Sequence, residues 1–222
     1  MLSICFNFSK FVGHEITDYG DVCDVAVEEN EPWYNAKNPK SVGQTSGNVC
    51  RTVLKSMQEN NLTINLGGDH AMAFGTFQAH LQHDPDACLL WVDAHADLNM
   101  PFTTPSGNMH GMPVAMHIRD LAESVWMPSY FDWLSHRTTP KNVGYLALRD
   151  LDDDERRIIK HLGIPARSMH DIDKLGIASC LSKVMEVINP SMERTIHLSF
   201  DIDSIDPTFC PSTGTPGKSF DN

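Results

Sequence analysis

No stretch of this 222-residue chain approaches the roughly 18 consecutive apolar residues that a membrane-spanning helix needs. The first residues, "MLSICFNFSKF", lack a basic start, and Ser3, Asn7 and Ser9 interrupt the apolar run, so no secretory leader is expected. There is no Cys-x-x-Cys pair: the six cysteines stand at 5, 23, 50, 88, 180 and 210. A chain of this length does not depend on disulfide staples, and these cysteines are read as reduced. Positive charge is scarce. Seventeen Lys and Arg against 29 Asp and Glu leave a net charge of −12, the opposite of what a nucleic-acid surface requires. No internal repeat, low-complexity tract or long linker divides the sequence. These absences leave a cytoplasmic globular protein with no membrane and no nucleic-acid partner.

What is present is an alternation. "LTINL" (62–66), "CLLWV" (88–92), "NVGYLAL" (142–148) and "TIHLSF" (195–200) read as strands. Helical spacing of apolar residues appears around 43–60, 71–82, 152–162 and 175–188. Strands alternating with helices predict an α/β protein: a three-layer parallel sheet with helices on both faces. In such sheets ligands bind beyond the carboxyl ends of the strands, and the polar residues fall there. The four runs lead into Gly67-Gly68-Asp69-His70, into Asp93-Ala94-His95-Ala96-Asp97, into Arg149-Asp150-Leu151-Asp152, and into Asp201-Ile202-Asp203.

A buried carboxylate costs several kcal/mol or more unless it is paired or binds a metal. Residues at i and i+2 of an extended chain point the same way, so Asp93, His95 and Asp97 share one face if strand geometry persists through them, and Asp201 with Asp203 share another. With His70 they make two imidazoles and four carboxylates, more than one tetrahedral zinc takes. The set suits two metal ions sharing a carboxylate. Its oxygen-rich character favours Mn²⁺ over Zn²⁺. Taken alone, an Asp-x-Asp after a strand is commonly a turn or a helix cap, and a Gly-Gly-Asp-His a tight turn. The combination argues for a binuclear site.

In this order, "GGDH", "DAHAD" and "SFDID" resemble the metal signatures of the ureohydrolase family, the arginases, agmatinases and relatives, over about residues 17 to 216. The resemblance implies an arginase-like fold and six ligands to two Mn²⁺ ions: His70, Asp93, His95, Asp97, Asp201 and Asp203. "SGNMHGMPVA" (106–115) is similar to the loop by which the arginase branch meets the α-amino and α-carboxylate groups of its substrate. By that resemblance Asn99, Ser106 and Asn108 serve the carboxylate end. Asp150, with Asp152 and Glu155, serves the amino end, and Thr215 lines the guanidinium site. Asp97 and His110 would carry the protons. The implied activity is hydrolysis of L-arginine to L-ornithine and urea, in arginine metabolism and the urea cycle, by a homo-oligomer that is trimeric in the family.

Both ends depart from the family pattern. The segment 1–16 is too short for a strand, a Gly-rich loop and a helix, because a parallel crossover takes a dozen or more residues. "LSICFNF" (2–8) is the one candidate for a first strand. Past residue 216 the pattern stops, and 217–222 form a non-matching tail. The expectation is a partial ureohydrolase domain over 17–216, from a splice variant or an incomplete gene model. It would lack the family's guanidinium-contacting glutamate and have little activity as it stands. Two competing readings are an agmatinase-like guanidino hydrolase and a catalytically dead metal-binding isoform.

Overall fold

The structure is a computed structural model that describes residues 13, 15–22, 25–26 and 31–214. In chain order its elements are α1 (Pro39–Glu59), α2 (Ala73–His83), β1 (Cys88–Val92), α3 (Pro113–His117), α4 (Arg119–Ala122), β2 (Val143–Leu148), α5 (Asp153–Leu162), β3 (Ala166–Ser168), α6 (Met169–Leu175), α7 (Ile177–Ile188) and β4 (Ile196–Phe200). Short 3-10 turns stand between several of them, one at His70–Met72. The sheet is parallel throughout, in the order β3-β2-β1-β4.

The central strand β1 shows why the sheet is covered twice. Its residues alternate between two apolar cores. Leu89 and Trp91 join Phe74, Phe77 and Leu81 of α2 on one side. Cys88 and Leu90 join Cys180, Val184, Met185 and Ile188 of α7 on the other. Helices on both faces of a parallel sheet give the three layers expected of the α/β class.

Three predicted strands are present at nearly the predicted limits; "LTINL" is not. Residues 62–66 are extended but have no ladder partner, and Leu62, Ile64 and Leu66 are 76%, 75% and 70% exposed. The physical reason lies in the sheet order. The described sheet ends at β4 on one side and β3 on the other, 62–66 is hydrogen-bonded to neither edge, and no other described strand stands beside it. The short strand β3 and helices α3 and α4 fall below the length at which periodicity speaks. The predicted helix at 175–188 begins later, because Gly176, with φ of +79°, breaks the chain between α6 and α7. The "LSICFNF" segment and the 217–222 tail lie outside the described residues. Cys50, Cys88, Cys180 and Cys210 are free thiols, whereas Cys5 and Cys23 lie outside the described residues.

Helices α1 and α2 approach closely at Gly75. A methyl group there would stand 2.3 Å from the Ser46 carbonyl oxygen and 2.9 Å from the Cys50 amide nitrogen. Both atoms are backbone and cannot swing aside. Gly75→Ala is therefore expected to cost about 1–3 kcal/mol through overpacking. A chain of this size loses roughly 2–4 °C of Tm per kcal/mol, so a thermal melt checks it, and an unchanged Tm contradicts the packing described.

Candidate metal centre

The ends of 62–66, β1 and β4 deliver the six predicted ligands to one place. His70 opens the 3-10 turn that follows Gly67-Gly68-Asp69, and Asp69 caps that turn by accepting from the Ala71 amide at 2.8 Å. Although 62–66 joins no sheet, Thr63 Oγ1 lies 3.0 Å from Ser56 Oγ of α1, tying the segment to the frame. Asp93 and Asp201 each follow a strand directly, and their amides still continue the ladder, to Leu146 and Val92 carbonyls respectively.

Strand alternation does not bring the ligands together. β1 ends at Val92, residues 93–95 form a bend, and 96–97 follow it without regular structure. Asp97 is in the left-handed region at φ of +50°, a conformation that costs a non-glycine residue about 1–3 kcal/mol and persists where the surroundings enforce it. Here the Asp97 carbonyl is held by the amides of Val114 and Ala115. The bend turns Asp97 back toward His70.

His70 Nδ1 lies 3.0 Å from Asp93 Oδ2, 3.1 Å from Asp201 Oδ2 and 3.2 Å from Asp97 Oδ2. The nitrogen is buried and makes no directed hydrogen bond to any of the three. His95 Nδ1 stands 3.3 Å from Asp93 Oδ1 and 3.2 Å from Asp203 Oδ2. Two groups able to hold a cation result: His70, Asp93 and Asp97, and Asp93, His95 and Asp203. Asp201 reaches the first through His70. Asp93 belongs to both and faces each histidine with a different oxygen.

The electrostatics also favour a cation. Burial pushes the Asp97 carboxyl up to about 7, with the charge of Asp93 adding to it. Burial alone would lower the His70 pKa, but Asp201, Asp93 and Asp97 override it and raise it to about 12. His95 is raised to about 11, Asp203 and Asp93 overriding its burial in the same way. A buried nitrogen crowded by three carboxylate oxygens draws positive charge to it, which a proton or a metal ion supplies. Imidazole nitrogens and carboxylate oxygens are the donors such an ion takes.

Supporting contacts surround these ligands, and sequence reading missed most of them. His70 Nε2 is 2.8 Å from Ser199 Oγ of β4. Its ring stacks on Trp91 at a centroid distance of 4.1 Å, and Trp91 Nε1 donates to Asp93 Oδ2 at 3.0 Å. The tautomer and tilt of a ligating imidazole are set by such outer contacts. The alternating pattern of β1 does place Trp91 and Asp93 on one face, which was the available signal. Nothing local foretells that Ser199 meets His70 from 129 positions away.

Of the other predicted site residues, His110 lies close to the centre. Its Nδ1 is 3.2 Å from Asp69 Oδ2, and that carboxylate raises the His110 pKa. Asn99 donates to Asp152 Oδ2 at 2.9 Å. Ser106 Oγ accepts from the Asn108 amide at 3.1 Å, and Lys37 Nζ donates to Asn108 Oδ1 at 3.4 Å. The Asp150 amide donates to the Ala94 carbonyl, which places Asp150 beside the 93–95 bend. Glu155 is buried. Its two oxygens accept from the amides of Leu98 and Asp152, at 3.1 Å and 3.0 Å, which makes it a support for Asp152. Thr215 lies outside the described residues.

The sequence and the fold are shared with known proteins. The model of the Arginase family matches residues 3–219. The chain belongs to the arginase family. It is 43% identical to the hepatic arginase of Aquarana catesbeiana over 203 residues, which are 91% of this chain and 63% of that one. Identity is 40% to arginase-1 of Rattus norvegicus, covering 93% and 64%, and 40% to the mitochondrial arginase-2 of Homo sapiens, covering 92% and 58%. This chain therefore spans less than two thirds of the length of these relatives. Among solved structures, Bacillus subtilis arginase superposes with a TM-score of 0.80 at 32% identity, covering 95% of this chain and 69% of that one. Entamoeba histolytica arginase, solved in complex with L-ornithine, gives 0.75 at 32%, covering 88% and 65%. Family membership implies a binuclear metal site, and the two ligand groups supply candidates for both halves of it. No helix among the described residues is long and apolar enough to cross a membrane.

Proposed function

We propose that this chain carries an arginase-type site that binds two Mn²⁺ ions and hydrolyses L-arginine to L-ornithine and urea. The observation that carries the reading is Asp93, whose two oxygens face His70 and His95 separately, so that one carboxylate is shared by two ligand groups. His70, Asp93, Asp97 and Asp201 would hold one ion, and His95, Asp93 and Asp203 the other. Bound there, the ions would lower the pKa of a water between them toward neutrality and so supply the nucleophile that a guanidinium carbon needs.

The remaining chemistry belongs to the chain. Asp97, beside His70 and Asp93 in the first ligand group, takes the nucleophile's proton. An amine leaves well only when protonated, and His110 delivers that proton. Asp69 engages Nδ1 of His110, leaving Nε2 to act. Asp69 thereby orients His110 and raises its pKa. Asn99 and Asp152, linked to each other and backed by Glu155, with Ser106, Asn108 and Asp150, receive the α-amino and α-carboxylate groups. Agmatine has no α-carboxylate, so this set favours arginine over it. The free thiols agree with a reducing cytosol.

Leu62, Ile64, Leu66, Leu198 and Phe200 are all more than half exposed. The frame around the site is thus open to solvent on the 62–66 and β4 side, and turnover by the 222-residue chain is expected to be low. Two readouts test the proposal on the Mn²⁺-loaded chain: calorimetric binding of L-arginine and agmatine, and urea release from each. Arginine should bind at least tenfold more tightly and release urea faster. Tighter binding or faster turnover of agmatine would reverse the substrate assignment. Failure to bind Mn²⁺ would remove the site altogether.

A further inference from the structure

A cavity of about 430 Å³ opens beyond the carboxyl ends of β2 and β3, between α5 and α6. None of its lining residues is a candidate metal ligand or belongs to the set assigned to arginine. Its floor is apolar, with Leu148, Ile159 and Ala166. Its rim is cationic: Arg149, Arg156, Lys160 and His170. In a chain of net charge −12, four cationic or imidazole groups around one opening is a local reversal of sign.

Two of these cations have nothing to hold. Arg156 and Lys160 are one turn apart on α5, on the same face, and exposed. Neither side chain has a hydrogen bond or ion pair among the described residues. Arg149 is engaged: it donates to the carbonyls of Asp203 and Ser204. The acid on the rim, Asp171, is engaged too. Its Oδ2 accepts from the Ser168 amide at 2.8 Å and from Ser168 Oγ at 2.9 Å, bonds that hold its pKa below the usual carboxylate range.

The backbone is shaped for the opening. Ala147, buried in β2, has φ of +73°, and the pairing of β2 with β3 shifts register between Leu146 and Leu148. An L-residue in the left-handed region costs roughly 1–2 kcal/mol. Leu148 and Arg149, which follow the irregularity directly, line the cavity. Positions past the carboxyl ends of parallel strands are where such sheets bind ligands.

We propose that this cavity binds a small organic anion, with a phosphate or carboxylate head held by Arg156 and Lys160 and an apolar body against Leu148, Ile159 and Ala166. The test is calorimetric titration of the 222-residue chain kept metal-free with a chelator, so that the metal centre cannot take the anion. Phenyl phosphate and benzoate are the probes, and the tighter of the two identifies the head group. Inorganic phosphate, which lacks the body, and benzyl alcohol, which lacks the charge, should each bind at least tenfold more weakly.

The double variant Arg156→Glu/Lys160→Glu should weaken the organic anion at least tenfold, and Arg156→Gln/Lys160→Gln should weaken it less. Arg157→Glu changes charge on the same helix at a residue outside the lining, paired with Asp154, and should leave the affinity within twofold. Circular dichroism verifies that each variant is folded. The proposal is overturned by the absence of saturable binding of both organic anions at millimolar concentration. Equal affinity in the wild type and both double variants, or an equal loss in Arg157→Glu, overturns it as well.

Discussion

Asp93→Ala is expected to reduce bound Mn²⁺ from two ions per chain to none, whereas Asp203→Ala should leave one. The difference follows from geometry. Asp93 presents Oδ2 to His70 at 3.0 Å and Oδ1 to His95 at 3.3 Å, so it belongs to both ligand groups. Asp203 stands beside His95 only, at 3.2 Å. Removing Asp203 strips one group and leaves His70, Asp93, Asp97 and Asp201 intact. Binding to the folded state stabilises by about 2.7 kcal/mol when the free ion is at 100 times its Kd. For a chain of this length that raises Tm by roughly 5–10 °C. The wild type should show this rise on adding Mn²⁺ and lose it on chelation. Asp203→Ala should show part of the rise and Asp93→Ala none. Metal content after desalting and the paired melts decide the matter, with the metal-free melt of each variant as the control for folding. Two ions retained in Asp93→Ala, or complete loss in both variants, would rule out a carboxylate shared in this way.

The parts legible in the sequence were those fixed by local pattern. β1 was read at its observed limits because Cys88–Val92 is apolar throughout and is bounded by Asp84-Pro85-Asp86 and Asp93. The order of the motifs placed all six metal-binding candidates, since each follows an apolar run at the carboxyl edge. Where strand logic was pressed further it misled. Asp93, His95 and Asp97 converge through a bend with Asp97 in the left-handed region, not through alternation along β1. "LTINL" has the composition of a strand, but a strand exists only beside a neighbour, and composition does not say whether one is there. The partners of the ligands were illegible for a related reason. Asp69 with His110 and Ser199 with His70 are 41 and 129 residues apart. Only the folded sheet brings them within hydrogen-bond distance. Glu155 was associated with the substrate from its position near Asp152, but its oxygens are taken by two backbone amides, an assignment that depends on the path of 97–99.

Acid should destabilise this protein through His117, so the stability difference between His117→Leu and the wild type should change sign between pH 7.5 and pH 4.5. The ring is 1% exposed, its Nδ1 donates to the Pro113 carbonyl at 2.8 Å, and its Nε2 has no partner. Burial, with the charge of Arg137 adding to it, pulls the His117 pKa down to about 3. The unfolded chain, with a histidine pKa near 6.5, takes up the proton first as pH falls. Stability from the neutral ring is therefore complete above about 6.5 and is lost as pH drops from there toward 3. At pH 4.5 the loss is about 3 kcal/mol, two pH units at somewhat over 1 kcal/mol each. His197 and His80, whose Nδ1 atoms lie 3.3 Å apart, also have lowered pKa values and act in the same direction. Asp97 and Glu155, both raised to about 7, act in the opposite direction, because their folded forms hold protons that the unfolded chain releases. The difference between wild type and variant cancels these contributions so far as the sites are independent. At pH 7.5, His117→Leu loses the bond to Pro113 and should be less stable by about 1 kcal/mol. At pH 4.5 it should be more stable than the wild type by roughly 2 kcal/mol, the acid loss no longer forfeited less the bond already lost. Urea unfolding at a series of pH values, with chelator present throughout so that acid release of metal does not contribute, gives both curves. Curves that run parallel from pH 7.5 to 4.5 would mean that His117 accepts its proton in the folded state as readily as in the unfolded one.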